Sequence, residues 1–241
     1  MRNKISVCLA SYNGEKYISR QLDTILANLS EQDELIVSDD GSRDHTISIL
    51  QDYAAKYPQI RILSGPRQGV IKNFEHAIAN VSGDLIFLSD QDDLWMPDKV
   101  EQVEKCFQDT AVTCVVHDAD VIDDGQKVLI PSFFEFRNSG PGVVKNIWKN
   151  SYIGCCMAFR KELVRYILPI PANIHMHDQW IGILSDHYGK SIFLKKNLIH
   201  YRRHEGNVTD LKHSSVSEMV KNRMILMHAY RKRIRDVEGN K

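Results

Sequence analysis

Nowhere in the 241 residues do 18 apolar side chains follow one another, and the N-terminus MRNKISVCLAS offers only a short apolar run. The first absence speaks against a membrane-spanning helix, the second against a secretory signal peptide. Neither sign of charge is in surplus: 31 Lys and Arg face 31 Asp and Glu, so no overall field recommends nucleic acid or another polyanion as partner. The five cysteines, Cys8, Cys106, Cys114, Cys155 and Cys156, are odd in number and form no CxxC pair. They read as reduced, buried thiols of a cytoplasmic protein, which makes the Asn-x-Ser/Thr triplets at Asn28, Asn80 and Asn207 chance matches. Also missing from the first half are GxGxxG and GxxxxGK[ST], so neither a dinucleotide fingerprint nor a P-loop is present there. There is no internal repeat and no low-complexity segment.

What is present suits a globular chain with a sizeable core, at 43% hydrophobic and 26% charged residues. Short β-branched runs (ISVCL, ELIVS, IRIL, DLIFL) alternate with amphipathic stretches at 15–29, 45–56, 70–79 and 97–107. That alternation predicts an α/β fold with a parallel sheet of βαβ units, whose ligands bind at the carboxyl ends of the strands. The turns ASYNGE, DDGSRD and SDQDD should then share one rim, with Ser42 or Asp44 capping the second helix. After about residue 113 the pattern loosens. VTCVVHDADVI reads as a strand or two, FFEFRNSGPG as loop, and IGCCMAFRKELVRYIL as strand into helix. HMHDQWIGILSDHYG reads as helix, with SIFL and NLIHYRRHE as two further strands. Residues 211–241 form an amphipathic helical tail with a basic end at Arg231, Lys232, Arg233 and Arg235. It suits either packing on the domain with a solvated basic face or a peripheral membrane contact.

LSDQDDLW places Asp90, Asp92 and Asp93 within four positions just past a strand. Each carboxylate raises the cost of its neighbour's charge, a cost a cation would remove. Carboxylate oxygens are hard ligands suited to Mg²⁺ or Mn²⁺ together with substrate phosphates. An acidic helix-capping turn is the competing reading, and a second acidic turn on the same rim, Asp39-Asp40-Gly41, favours the metal.

The stretches VCLASYNGEKYISRQLDTIL, IVSDDGSRDHT, GDLIFLSDQDDLW, HDQW and YRRHEGN, in that order, closely resemble the bacterial family 2 glycosyltransferases of the GT-A fold. The nearest likeness is to the rhamnosyltransferase-like group of surface polysaccharide synthesis, and it covers nearly the whole chain to about residue 209. The resemblance implies one catalytic domain over 1–210. Its nucleotide-sugar half, about 1–110, is a Rossmann-like, mostly parallel sheet; its acceptor half, about 111–210, is a mixed extension. It implies that Ala10, Ser11, Tyr12, Asn13, Asp39 and Asp40 line the nucleoside, with Lys72 and Asn73 near it. It sets Asp90, Gln91 and Asp93 on the nucleotide sugar, and makes Asp92 and His204 ligands of Mg²⁺ or Mn²⁺. Asp178 falls at the position of the catalytic base.

The implied reaction moves one sugar, with inversion, from a nucleoside diphosphate sugar (dTDP-rhamnose or a UDP-sugar) to a hydroxyl of a saccharide or lipid-linked acceptor. Inversion needs a base on the face of the sugar opposite the leaving group, and a carboxylate from the second half of the chain meets that need. Taken alone, Asp178 could equally be the N-cap of its helix. Trp95 and Trp180 could shape the sugar pocket. His175 and His177 invite a zinc reading, weakened by the lack of a third ligand. Two departures from the family pattern stand out: Gln179 intervenes before Trp180 where a pair of aromatics is usual, and the QxxRW run of processive synthases is missing. A sugar nucleotidyltransferase would need a Gly-rich, basic loop after the first strand, and SYNGEKY carries one lysine and one glycine. A non-catalytic sugar-binding module would not need every carboxylate that is present.

Overall fold

The computed structural model describes residues 2–204 and 216–239. Seven consecutive buried residues make β1 (Ile5–Ser11), and six more make β2 (Glu34–Asp39). Near-continuous apolar runs of this kind are what strands covered on both faces require. With β3 (Ile60–Ser64) and β4 (Leu85–Ser89) they form a parallel sheet in the order β3-β2-β1-β4. Its crossovers are α1 (Ile18–Leu26), α2 (Thr46–Ala54) and α3 (Val70–Ile78). The register pairs Ser11 with Asp39, Asp39 with Ser64 and Leu9 with Ser89, so β1, β2 and β3 finish level and β4 ends two residues short of them on the same side. This puts the expected turns on one rim.

The second half extends the same sheet and mixes its directions. After β5 (Leu94–Trp95) and α4 (Lys99–Cys106) comes β6 (Val112–Ile122), one unbroken strand carrying a hairpin partner, β7 (Val128–Ile130). β8 (Met157–Arg160) runs antiparallel between β4 and β6, while β9 (Lys190–Arg202) lies parallel to β6 and antiparallel to β5. SIFL and NLIHYRR therefore belong to one strand. The polar pair between them stays in line because Lys195 and Lys196 point to solvent, where Lys196 meets Asp98 at 2.5 Å.

FFEFRNSGPG is not all loop: its start is the short helix α5 (Phe133–Arg137). Ser132 accepts from the Glu135 amide at 3.1 Å, and Asn138 ends the helix with a left-handed φ of 54°. The Ser-x-x-Glu spacing was the available signal. Two further helices are α6 (Val143–Trp148) and α7 (Val164–Ile167); the twelve-residue α8 (His177–Tyr188) follows. Gly182 lets α8 close on the chain before it, since a Cβ there would lie 2.3 Å from the Tyr152 ring.

The final helix, α9 (Val216–Glu238), docks one face on the domain through Leu226, with Ala229, Tyr230 and Ile234 packed against the core. No helix among the described residues is long and apolar enough to cross a membrane. The expected boundary at 210 and 211, Asn207 and the end of YRRHEGN lie outside the described residues.

Candidate active site

A cavity of about 890 Å³ opens at the carboxyl ends of the parallel strands. The four turns on the rim are fastened to one another before any ligand arrives. Gln91 accepts from the Tyr12 amide at 2.9 Å and donates to the Tyr12 carbonyl at 3.0 Å, clamping the first turn to the fourth. Asn13 donates its amide to Ser42 Oγ and accepts from the Arg43 amide, clamping the first to the second. Asp40 accepts from the amides of Arg67 at 2.6 Å and Gly69 at 2.7 Å, which brings in the turn after β3. Gly41 supports this close approach with a φ of 94°.

Of the residues expected on the nucleoside, Ala10, Ser11, Tyr12, Asp40 and Asn73 line the cavity. Asn73 donates to the carbonyls of Ser11 and Ser38 and leaves its buried Oδ1 without a partner among the described residues. Asp39, Asn13 and Lys72 are not on the wall. Asp39 is turned inward and filled by four donors: Ser11 Oγ, the amides of Gly41 and Ser42, and Ser42 Oγ. It organises the turn from behind. Lys72 Nζ is held by Glu75 at 2.6 Å and the Ile170 carbonyl at 3.1 Å. Neither Ser42 nor Asp44 is the N-cap of α2, which is His45: Ser42 is engaged by Asp39, and Asp44, one position before the cap, accepts from the Thr46 amide at 3.0 Å.

The acidic cluster separates into three environments. Asp90 lines the cavity, and enclosure by protein, then the charges of Asp92 and Asp178, push its carboxyl up to about 7. Asp92 also lines the cavity, with Oδ2 2.8 Å from His204 Nε2. The His204 ring is stacked on Tyr17 at 4.7 Å. Asp93 is buried away from the cavity: Oδ1 accepts from the Arg202 amide at 3.0 Å, and Oδ2, with the Cys155 thiol nearby, is enclosed without a close hydrogen-bond partner among the described residues. It neither faces a sugar nor caps α4, whose N-cap is Asp98. Burial, then the charges of Asp92 and Asp90, raise the Asp93 carboxyl well above the ordinary range.

Beneath this turn lies the fully buried Lys99, which no motif in the sequence announces. Its Nζ donates to the Cys155 carbonyl at 2.8 Å and lies 3.8 Å from the centre of the Trp95 ring. Trp95 is thus packing, as is Trp180, whose indole donates to the Ile167 carbonyl inside the core.

Two donor sets compare differently with a hard divalent cation. Asp90, Asp93 and Cys155 bring ligand atoms within 4.8 Å of one another, but burial holds the Cys155 thiol protonated and Asp93 is shut off from the cavity. A neutral thiol suits neither Mg²⁺ nor Mn²⁺. Asp92 and His204 offer an oxygen and a nitrogen 2.8 Å apart, with Asp92 on the cavity wall and Asp90 beside it, and this set fits. His175 is exposed and His177 buried, so the pair does not converge on a zinc ion. The His177 ring stacks on Phe74 at 4.2 Å, and burial depresses it to about 3, so it stays neutral.

Asp178, which lines the same cavity, stands in the first turn of α8. Met176 is the N-cap, so the capping role falls away. Asp178 Oδ1 accepts from the Gln179 amide at 2.5 Å and from Asn150 Nδ2 at 3.3 Å, and burial pushes the carboxyl up to about 6. Gln179 turns aside to donate to the Asn146 carbonyl, tying α8 to α6. Lys99 lies behind the wall; wall residues that sequence reasoning passed over include Arg43, Arg67, Gly69, Val70, Ile153, Gly154, Met176 and Tyr201. Arg67 and Gly69 were accessible in principle, as the turn after the third parallel strand.

A four-stranded parallel half, a mixed extension and a rim cavity with an acidic turn after the fourth strand define the GT-A class of glycosyltransferase folds. The chain superposes on S. aureus TarS 1–349 in complex with UDP-GlcNAc with a TM-score of 0.72. The match covers 92% of this chain and 65% of that one at 18% identity. Against the mannosyltransferase PcManGT from Pyrobaculum calidifontis, in complex with GDP-Man and Mn²⁺, the TM-score is 0.63. There 81% of this chain and 55% of that one are covered, at 19% identity. Within this class the chain belongs to glycosyl transferase family 2, whose family model matches residues 6–168. The dTDP-rhamnosyl transferase RfbG of Shigella flexneri is 28% identical over 215 residues, 83% of this chain and 72% of that protein. An uncharacterized glycosyltransferase of Nostoc sp., alr2836, is 27% identical over 212 residues, 85% of this chain and 66% of that protein. The chain thus spans about two thirds of the length of these relatives.

Proposed function

We propose that the domain, residues 1–210 in its full extent, transfers a single sugar with inversion from a nucleoside diphosphate sugar to a hydroxyl of a saccharide or lipid-linked acceptor. The observation that carries this reading is the pairing, in one cavity, of the acidic turn at Asp90 and Asp92 with a buried carboxyl at Asp178 poised at about 6. A base with a pKa close to neutrality combines enough of the ionised form with enough basicity to take a hydroxyl proton. The first three turns would hold the nucleoside, with the exposed Tyr12 ring free to stack on a base and Asp40 and Asn73 offering polar contacts. Gln91 and Asn13 keep the turn that carries Tyr12 in place.

Asp92 and His204 would hold a divalent cation, Mg²⁺ or Mn²⁺, which when bound supplies neutralising charge to the diphosphate. PcManGT, solved in complex with GDP-Man and Mn²⁺, supports that choice of ion. At the other side of the sugar, Asp178 accepts the acceptor's proton as the hydroxyl oxygen bonds to the anomeric carbon. The bond from that carbon to the diphosphate oxygen breaks, and the configuration inverts. Asn150 and the Gln179 amide hold the carboxylate by Oδ1. RfbG supports dTDP-rhamnose as donor, and the UDP-GlcNAc complex of TarS supports a UDP-sugar. Five free cysteines suit the reducing cytoplasmic side, where such donors would be met.

The test is transfer and donor binding screened over several nucleotide sugars with and without Mn²⁺. Asp92→Ala should lose metal-dependent donor binding; Asp178→Asn should keep it and lose transfer. Transfer by Asp178→Asn at the parent rate would remove Asp178 from the base role.

A further inference from the structure

Helix α9 has two unlike faces. The inner one carries Leu226, Tyr230 and Arg233, the last donating to the carbonyls of Tyr166, Leu168 and Pro169. The outer one exposes Val220 (42%) and Met224 (56%), followed by Lys221, Arg231, Lys232 and Arg235. Beside its first half lies α6, where Trp148 is 63% exposed and Val144, one turn earlier, 71%. Arg223 joins the two helices: its Nε donates to the Trp148 carbonyl at 3.0 Å, and its guanidinium lies 5.1 Å from the Trp148 ring centre. Two elements far apart in sequence thus share a surface with four large apolar side chains outward.

The charge around these residues is of one sign. From Met219 to Arg235 α9 has no acidic residue, between Glu218 and Asp236; from Ser139 to Ser151, around α6, there is none either, while Lys145 and Lys149 flank Trp148. An exposed Trp with aliphatic neighbours and a fringe of Lys and Arg is the composition that enters the headgroup region of a bilayer bearing anionic lipid. A second copy of the chain is the poorer occupant, because a two-fold contact through this face would set cations against cations.

We infer that the joint outer surface of α6 and α9, centred on Val144, Trp148, Val220 and Met224, docks the protein on an anionic lipid surface. The same α6 segment leads two residues on to Asn150, which touches Asp178, so on the functional reading above docking would turn the acceptor side toward the bilayer.

Co-sedimentation of the full chain with vesicles tests this without reference to catalysis, using phosphatidylcholine alone and mixed with phosphatidylglycerol. Binding should require phosphatidylglycerol and weaken with added salt. Trp148→Ser combined with Met224→Ser should reduce the partition constant by about tenfold or more. Lys221→Ala, Arg231→Ala and Lys232→Ala should each reduce it about fivefold. All five side chains are solvent-exposed, so unchanged thermal melting and circular dichroism should accompany the loss. Equal pelleting with both vesicle types, no pelleting with either, or parent-like binding by the Trp148 and Met224 variant would overturn the inference. So would a dimer in sedimentation equilibrium that Trp148→Ser dissociates, since a second copy would then own the face.

Discussion

Replacing Asp178 with Asn should make the protein more stable and leave it unable to transfer sugar, with a stability gain that grows with pH. Burial raises the Asp178 carboxyl from 3.8 to about 6, against the opposing hydrogen bonds from Gln179, Asn150 and the Gly154 backbone. The folded state therefore binds this proton more tightly than the unfolded chain does. Below about pH 4 both states are protonated and the folded state pays nothing; as pH rises through the folded pKa that advantage is lost. At 1.36 kcal/mol per pH unit, the loss is about 3 kcal/mol by roughly pH 8. Asparagine keeps a side-chain oxygen to accept from Gln179 and Asn150, so much of that figure should be recovered. For a chain of this size the difference corresponds to a Tm about 5–10 °C higher near pH 8, shrinking toward zero near pH 4. Urea or thermal unfolding of both proteins across that range measures it. Equal stability near pH 8, or a difference that does not shrink with acid, would refute the claim that Asp178 is a desolvated carboxyl. The parent's kcat/KM should in turn fall about tenfold per unit below pH 6.

Asn150→Ala removes a donor that favours the ionised form of Asp178, so the acid limb of the pH–rate profile should move to higher pH; an unmoved limb would exclude Asn150 from positioning the base. Gln91→Ala deletes the two hydrogen bonds that fix Tyr12 and should weaken nucleotide binding about tenfold in calorimetry, with the fold intact by circular dichroism. Gly182→Ala drives a Cβ into the Tyr152 ring and should cost ~1–3 kcal/mol in thermal unfolding, whatever happens to binding.

The first half of the fold was legible because its signal is periodic and local. Uniformly buried strands alternate with helices whose apolar faces repeat, and the shared rim follows from the parallel register without further information. The second half hides its order in non-local pairing. Nothing in MAFR says that it will lie antiparallel between β4 and β6, or that residues 190–202 will pair with a strand about 80 positions earlier. The candidate site divides along the same line. Residues in turns directly after strands, such as Tyr12, Asp40, Asp90 and Asp92, could be placed from sequence. Their supports could not: nothing in the sequence shows that Asp39 gathers four donors behind its turn, and Lys99 resembles any lysine at the start of a helix.

Lys99 bears on why three aspartates can crowd one turn. An isolated carboxylate cluster held by protein would neutralise itself by taking up protons, and the raised Asp90 and Asp93 show that tendency. Lys99, with its own pKa depressed to about 8 by burial, opposes the shift at Asp90 from beneath, inside the core. Arg202 braces the other side, its amide on Asp93 and its Nε on the Asp92 carbonyl at 3.0 Å. The protein thus meets the negative charge from below and from β9, where solvent and substrate have no access. Positive charge contributed by a ligand can reach the turn through the cavity, at Asp90 and Asp92. The inward Asp93 gives the turn its attachment to Arg202, which is why a residue with no place on the cavity wall belongs to the same short motif as two that line it.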